Sequence, residues 1–144
     1  MKKLVMFILA AVATMTLAGC GIQSLPQSKN QTEASLAEVT NQYKRRADLI
    51  PNLVNVVKGY ATHEQTTLTQ VTEARARATA ITIDPSKVTP EQLQKFQSAQ
   101  GQLSQALGKL LAVSENYPNL KANENFRDLQ AQLEGTENRI TVAR

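Results

Sequence analysis

Apolar and small side chains recur every three or four positions from Leu36 onward. Leu36, Val39, Tyr43, Ala47, Ile50, Leu53, Val54 and Val57 lead through Ala61 to Leu68, Val71, Ala74 and Ala78. This spacing draws one apolar stripe along a helix. Almost no phase break divides the series, so the pattern predicts a single helix reaching to Ala78. Asn30 followed by Glu33 has the spacing of a capping box and supplies its start. Gly59 lies off the stripe and reads as a residue that weakens the helix by about 1 kcal/mol without ending it. Pro51 interrupts the series inside "RRADLIPNLVN". An interior proline removes one backbone hydrogen bond and costs about 3 kcal/mol, so Pro51 reads as a kink or as the first residue of a new segment.

The stretch "TAITIDPSKVT" at 79–89 breaks the periodicity at Asp84-Pro85 and closes on a start signal. Thr89 can cap, Pro90 suits the first helical position, and Gln92 can return the capping bond. Leu93, Phe96, Leu103, Leu107, Leu110 and Leu111 then mark a second helix over 90–115. After the loop "ENYPNLKANEN", Phe126, Leu129, Leu133 and Ile140 mark a third that has no stop signal before Arg144. The expected fold is all-α: an elongated antiparallel bundle with three long helices, the last cut short.

Lengths constrain how such helices pair. A helix over 90–115 returns about 39 Å beside the first, which would bring the Tyr117-Pro118-Asn119 turn beside Ile50-Pro51-Asn52. The stripe Leu36/Val39/Tyr43 would then have no partner within the chain.

The N-terminus changes where this bundle is expected to live. Lys2 and Lys3 precede an uncharged apolar run, Leu4 to Ala18, and Leu17-Ala18-Gly19-Cys20 has the form of a bacterial lipobox. The run is short for a membrane span, which needs roughly 20 residues, and fits a secretory signal peptide. Cys20 would carry a diacylglyceryl group and become the mature N-terminus; the alternative is an uncleaved anchor with a buried thiol. Residues 1–19 are thus read as signal peptide, 20–29 as lipidated cysteine and tether, and 30–144 as the bundle domain. Acyl chains on Cys20 would hold the protein to the membrane, and Gly21 after the cysteine favours the outer membrane in a two-membrane host.

Charge and candidate chemistry narrow the function further. The chain carries 16 Lys and Arg against 12 Asp and Glu. Loss of Lys2 and Lys3 with the signal would lower the net charge from +4 to +2, which leaves no electrostatic footprint for nucleic acid. One cysteine excludes an intramolecular disulfide and a Cys-based zinc site. Lys44, Arg45 and Arg46 read as a solvated basic face beside Asp48, or as a contact for lipid phosphate or an acidic partner; Arg75 and Arg77 read the same way. His63 and Glu64 are the one pair resembling an acid–base or ligand site. Helix counting sets Glu64 near Gln100–Ser104 and Glu137, which suits a polar layer fixing register. A metal site is disfavoured, because the position three before His63 is Tyr60, not Glu. No nucleophile elbow or phosphate-cradling glycine loop occurs, so no cofactor is expected.

Together, "NQYKRRADLIPNLVNVVKGYATHE", "VTEARARA" and "ENYPNLKANENFRDLQAQLEGTENRITVAR" resemble the bacterial LemA family from Leu36 to Arg144. The resemblance implies an envelope-anchored helical bundle and no catalytic residues to transfer. Many members begin with a transmembrane helix where this chain has a lipobox. Members also continue past the equivalent of Arg144, so the expectation is a fragment or truncated form whose missing helix would cover the free stripe. The expected function is a lipid-anchored scaffold or adaptor without catalytic activity of its own, with a protein partner. The alternative is a membrane-organising protein acting through its basic face. Lys44, Arg45, Arg46, Pro51, Asn52, Tyr117 and Asn119 form the candidate partner surface.

Overall fold

The computed structural model describes residues 24–143 together with Met6; the rest of the signal segment and Cys20 lie outside the described residues. Five helices follow in order: α1 (Ser24–Tyr60), α2 (Gln65–Ala80), α3 (Pro90–Ser114), α4 (Pro118–Ala122) and α5 (Glu124–Ala143). Among the described residues there is no strand. No helix among them is long and apolar enough to cross a membrane. The chain divides into a unit ending at Ala34 and a second from Ser35 to Arg144. In the first, residues 24–29, expected as tether, are helical, and Asn30 lies within α1 instead of capping it.

The second unit is an antiparallel bundle of four long helices, where the stripe predicted three. α1 ends at Tyr60, and Ala61–Glu64 form a turn that sends α2 back along it. Ala61 N–H still donates to Val57 O at 2.8 Å, and Leu68 N–H donates to Glu64 O at 3.0 Å. Ala61 and Leu68, both buried, are about two helical turns apart in sequence. The stripe therefore keeps its phase through the reversal, and periodicity alone cannot register the turn. Gly59, read as a weak interior residue, stands one position before the end of α1.

α3 begins as expected. Thr89 Oγ1 accepts from Gln92 N–H at 3.2 Å, Gln92 Oε1 accepts from Thr89 N–H at 3.0 Å, and Pro90 opens the helix. α3 runs in the direction of α1, setting Phe96 against Tyr43 with ring centroids 5.3 Å apart and edge to face. α5 runs opposite, with Asn123 Oδ1 accepting Phe126 N–H at 3.0 Å to cap its first turn.

Two apolar clusters form the core. The larger includes Leu53, Val57, Val71, Leu103, Leu110 and Phe126, all essentially inaccessible, and also Leu120 of α4. Val39, Tyr43, Ile83, Phe96 and Ile140 form the smaller. That second cluster overturns the expectation of an uncovered stripe. Because the chain reverses at Ala61, α3 starts near the level of Tyr43, and the 81–89 loop, α3 and α5 cover Val39 and Tyr43. No missing helix is needed to explain the stripe.

Candidate functional site

The basic run divides between water and core. Lys44 and Arg45 are exposed, whereas Arg46 is 2% exposed. The solvated-face reading of Arg46 is therefore wrong. Its position explains why: Val39, Tyr43, Arg46, Ile50 and Leu53 follow one another at three and four residues, so Arg46 is a member of the stripe. One of its terminal nitrogens donates to Glu137 Oε2 and to Ser104 Oγ, both at 2.7 Å. The other donates to Gln100 Oε1 at 2.9 Å and to the Gln100 carbonyl at 3.2 Å. The guanidinium carbon lies 4.9 Å from the Tyr43 ring centroid, within cation–π range. Burial pushes the Arg46 pKa down from its ordinary value, and Glu137 opposes that shift. Buried Arg46 Nε and Gln42 Oε1, one helical turn apart, have no partner among the described residues.

This network sits between the two apolar clusters and joins α1, α3 and α5. The polar layer expected around Gln100–Ser104 and Glu137 is present, but Arg46 fills it where Glu64 was expected. A guanidinium has donors for four acceptors at once, which a carboxylate in that place would lack. Misregister of any one helix would strand a buried charge, so the layer fixes alignment.

Pro51 is exposed, and α1 stays helical on both sides of it. Proline has no N–H to offer the carbonyl four residues earlier, and its ring crowds that carbonyl. Here that group is Ala47 O, and Arg75 Nε of α2 donates to it at 2.7 Å. A donor from the neighbouring helix thus stands in for the missing backbone amide. The sequence reads Arg75 as solvated, or as a contact for lipid phosphate or an acidic partner; the bond to Ala47 O spans 28 positions and leaves no local signal.

Tyr117 and Asn119 do not approach Pro51. The Tyr117 hydroxyl donates to Glu64 Oε1 at 2.9 Å, and Asn123 Nδ2 donates to the Tyr60 hydroxyl at 3.0 Å. The α3–α5 connection therefore latches onto the α1–α2 turn at the far end of the bundle. The bond to Glu64 raises the Tyr117 pKa above its ordinary value, with lesser contributions from burial and the carboxylate's charge. Asn119 is exposed on α4, and His63 is exposed in the turn. Among the described residues no three His, Cys, Asp or Glu side chains gather as a metal site. Asn52 faces α5 across an open groove that it shares with Asn55, Asn125 and Asp128.

A cleft of about 420 Å³ opens where α1, the end of α2 and the following loop meet. Tyr43, Ala47, Ala78 and Phe96 supply apolar wall, while Lys44, Asp48 and Arg75 supply charge. Of the candidate surface, the structure thus brings Lys44 to a cavity and leaves Pro51 and Asn52 nearby on α1. Arg46 is absorbed into the core, and Tyr117 and Asn119 go to the opposite end.

No curated protein matches the chain in direct sequence comparison. The sequence model of the LemA family, by contrast, matches residues 35–144, the full extent of the bundle unit. On that match the chain belongs to the LemA family.

Proposed function

We propose that the chain is a lipid-anchored scaffold or adaptor of the cell envelope, whose bundle presents a surface to a protein partner and performs no reaction of its own. The observation that carries this reading is how the bundle uses its polar groups. Arg46 is spent on register, the Nε of Arg75 on the carbonyl that Pro51 leaves free, and Tyr117 with Glu64 on closing one end. A fold that holds these groups in structural bonds offers rigid surface for recognition. The Leu17-Ala18-Gly19-Cys20 motif supports the anchor.

Crosslinking in native membranes through exposed lysines such as Lys44 and Lys109, followed by mass spectrometry, tests the adaptor role. One dominant protein partner is expected; adducts to lipid alone would overturn it. Cys20→Ser should abolish labelling by a radioactive fatty acid, and persistent labelling would refute the anchor. The membrane-organising alternative loses ground because burial of Arg46 leaves Lys44 and Arg45 as the exposed cations of the 44–46 run. Salt-sensitive sedimentation with anionic vesicles would restore it.

A further inference from the structure

We propose that the cleft between α1 and α2 receives a peptide carrying an apolar side chain next to a carboxylate. This rests on the adaptor reading and names the chemistry its partner would bring. The Tyr43 and Phe96 rings pack edge to face at 5.3 Å and, with Ala47, Ala78 and Ile81, give the cleft an apolar interior. Its volume of about 420 Å³ falls within the range of small-ligand pockets and suits a side chain or two.

Arg75 and Lys44 set the charge at the rim. Arg75 is tied through Nε to Ala47 O at 2.7 Å, which fixes the plane of its guanidinium. Its two terminal nitrogens make no other bond among the described residues, and such a fork matches a carboxylate in two-point geometry. Neither cation is within ion-pair distance of a carboxylate among the described residues. Two cations over an apolar floor are complementary to an anion with an apolar body.

Asp48 and Thr82 select a peptide over a lipid. Both line the same cleft. Asp48 opposes either anion, but its carboxylate can accept a peptide N–H, and the Thr82 hydroxyl can serve a peptide carbonyl. An acyl chain offers nothing to either group.

The test uses the full chain in nonionic detergent micelles, with backbone amides followed by nuclear magnetic resonance. The probes are N-acetyl-leucine, its carboxamide and decanoate. N-acetyl-leucine should shift the amides of Lys44, Asp48, Arg75 and Thr82 saturably, and the carboxamide should bind about tenfold more weakly. Lys44→Gln, an exposed change that leaves the fold alone, should weaken the acid but not the carboxamide. Arg75→Lys should do the same by keeping the charge and losing the fork. Equal response to acid and carboxamide would overturn the proposal, as would silence at these amides. Stronger displacement by decanoate would instead mark an acyl site. Protein crosslinks from other faces of the bundle, with the cleft silent, would refute this inference and leave the adaptor reading standing.

Discussion

Replacing Arg75 by Met keeps an unbranched stem and removes the donor to Ala47 O. Pro51 cannot supply a substitute, so the carbonyl of buried Ala47 is left to whatever water reaches it through the cleft. A hydrogen bond from a charged donor contributes about 1.5–3 kcal/mol; partial exposure of Arg75 puts the expected loss near the lower end, about 1.5 kcal/mol. In a Pro51→Ala background the residue 51 amide can reach Ala47 O through an ordinary helical bond. The same Arg75→Met change should then cost less than about 0.5 kcal/mol, which leaves a coupling of about 1 kcal/mol between positions 51 and 75. Pro51→Ala alone should hold or raise stability, by less than proline's full interior penalty of about 3 kcal/mol, because Arg75 already recovers part of it. The assay is urea unfolding of the four proteins of the cycle, read by circular dichroism with linear extrapolation. Additive losses, with coupling below about 0.3 kcal/mol, would refute the view that Arg75 replaces the proline's missing amide.

Other expectations can be checked in the same way. Glu137→Ala, which leaves Arg46 buried with only neutral acceptors, should cost about 2–3 kcal/mol, whereas Arg46→Met should cost under about 1 kcal/mol because the half-exposed Glu137 can return to water; the reverse order in urea melts would contradict the buried-charge account. Leu120→Ala, in a position with no exposure, should cost about 2–5 kcal/mol despite lying in a connection, and a thermally silent mutant would show that α4 is not part of the core. The raised Tyr117 pKa makes folding bind a proton that the unfolded chain releases around its ordinary value of 10.0. The Tyr117–Glu64 stabilisation is thus fully present below that pH and fades as pH rises through the higher folded value. Tyr117→Phe should flatten the alkaline limb of the stability profile, and an unchanged limb would exclude the bond as its source.

Most of the core was legible because heptad-like spacing records burial directly. Val39, Tyr43, Leu53, Leu103, Leu133 and Ile140 are all where the stripes put them. The capping box at Thr89 and Gln92 was equally plain, being local chemistry at fixed spacing. Two things escaped. The hairpin at Ala61–Glu64 conserves phase, so a pattern blind to direction joined two helices, and every height estimate built on that join moved Tyr117 to the wrong end. Arg46 was visible in principle, since it occupies a stripe position, but its charged neighbours Lys44 and Arg45 disguised it as part of a surface run. Arg75 was not visible at all. Its partner is a backbone carbonyl, which has no signature in sequence, and only the fold brings the two together.

The Arg46 layer also makes closure of the core conditional on three helices at once. Its partners are drawn from Gln100 and Ser104 of α3 and from Glu137, close to the end of the chain. A chain growing from its N-terminus can form the α1–α2 hairpin early, but that hairpin carries an unneutralised guanidinium on the face meant for the interior. Burying that charge against any other apolar surface would cost its desolvation with no carboxylate to offset it. Glu137 of α5 supplies the one carboxylate of the network, so the layer is satisfied only when α1, α3 and α5 are docked together.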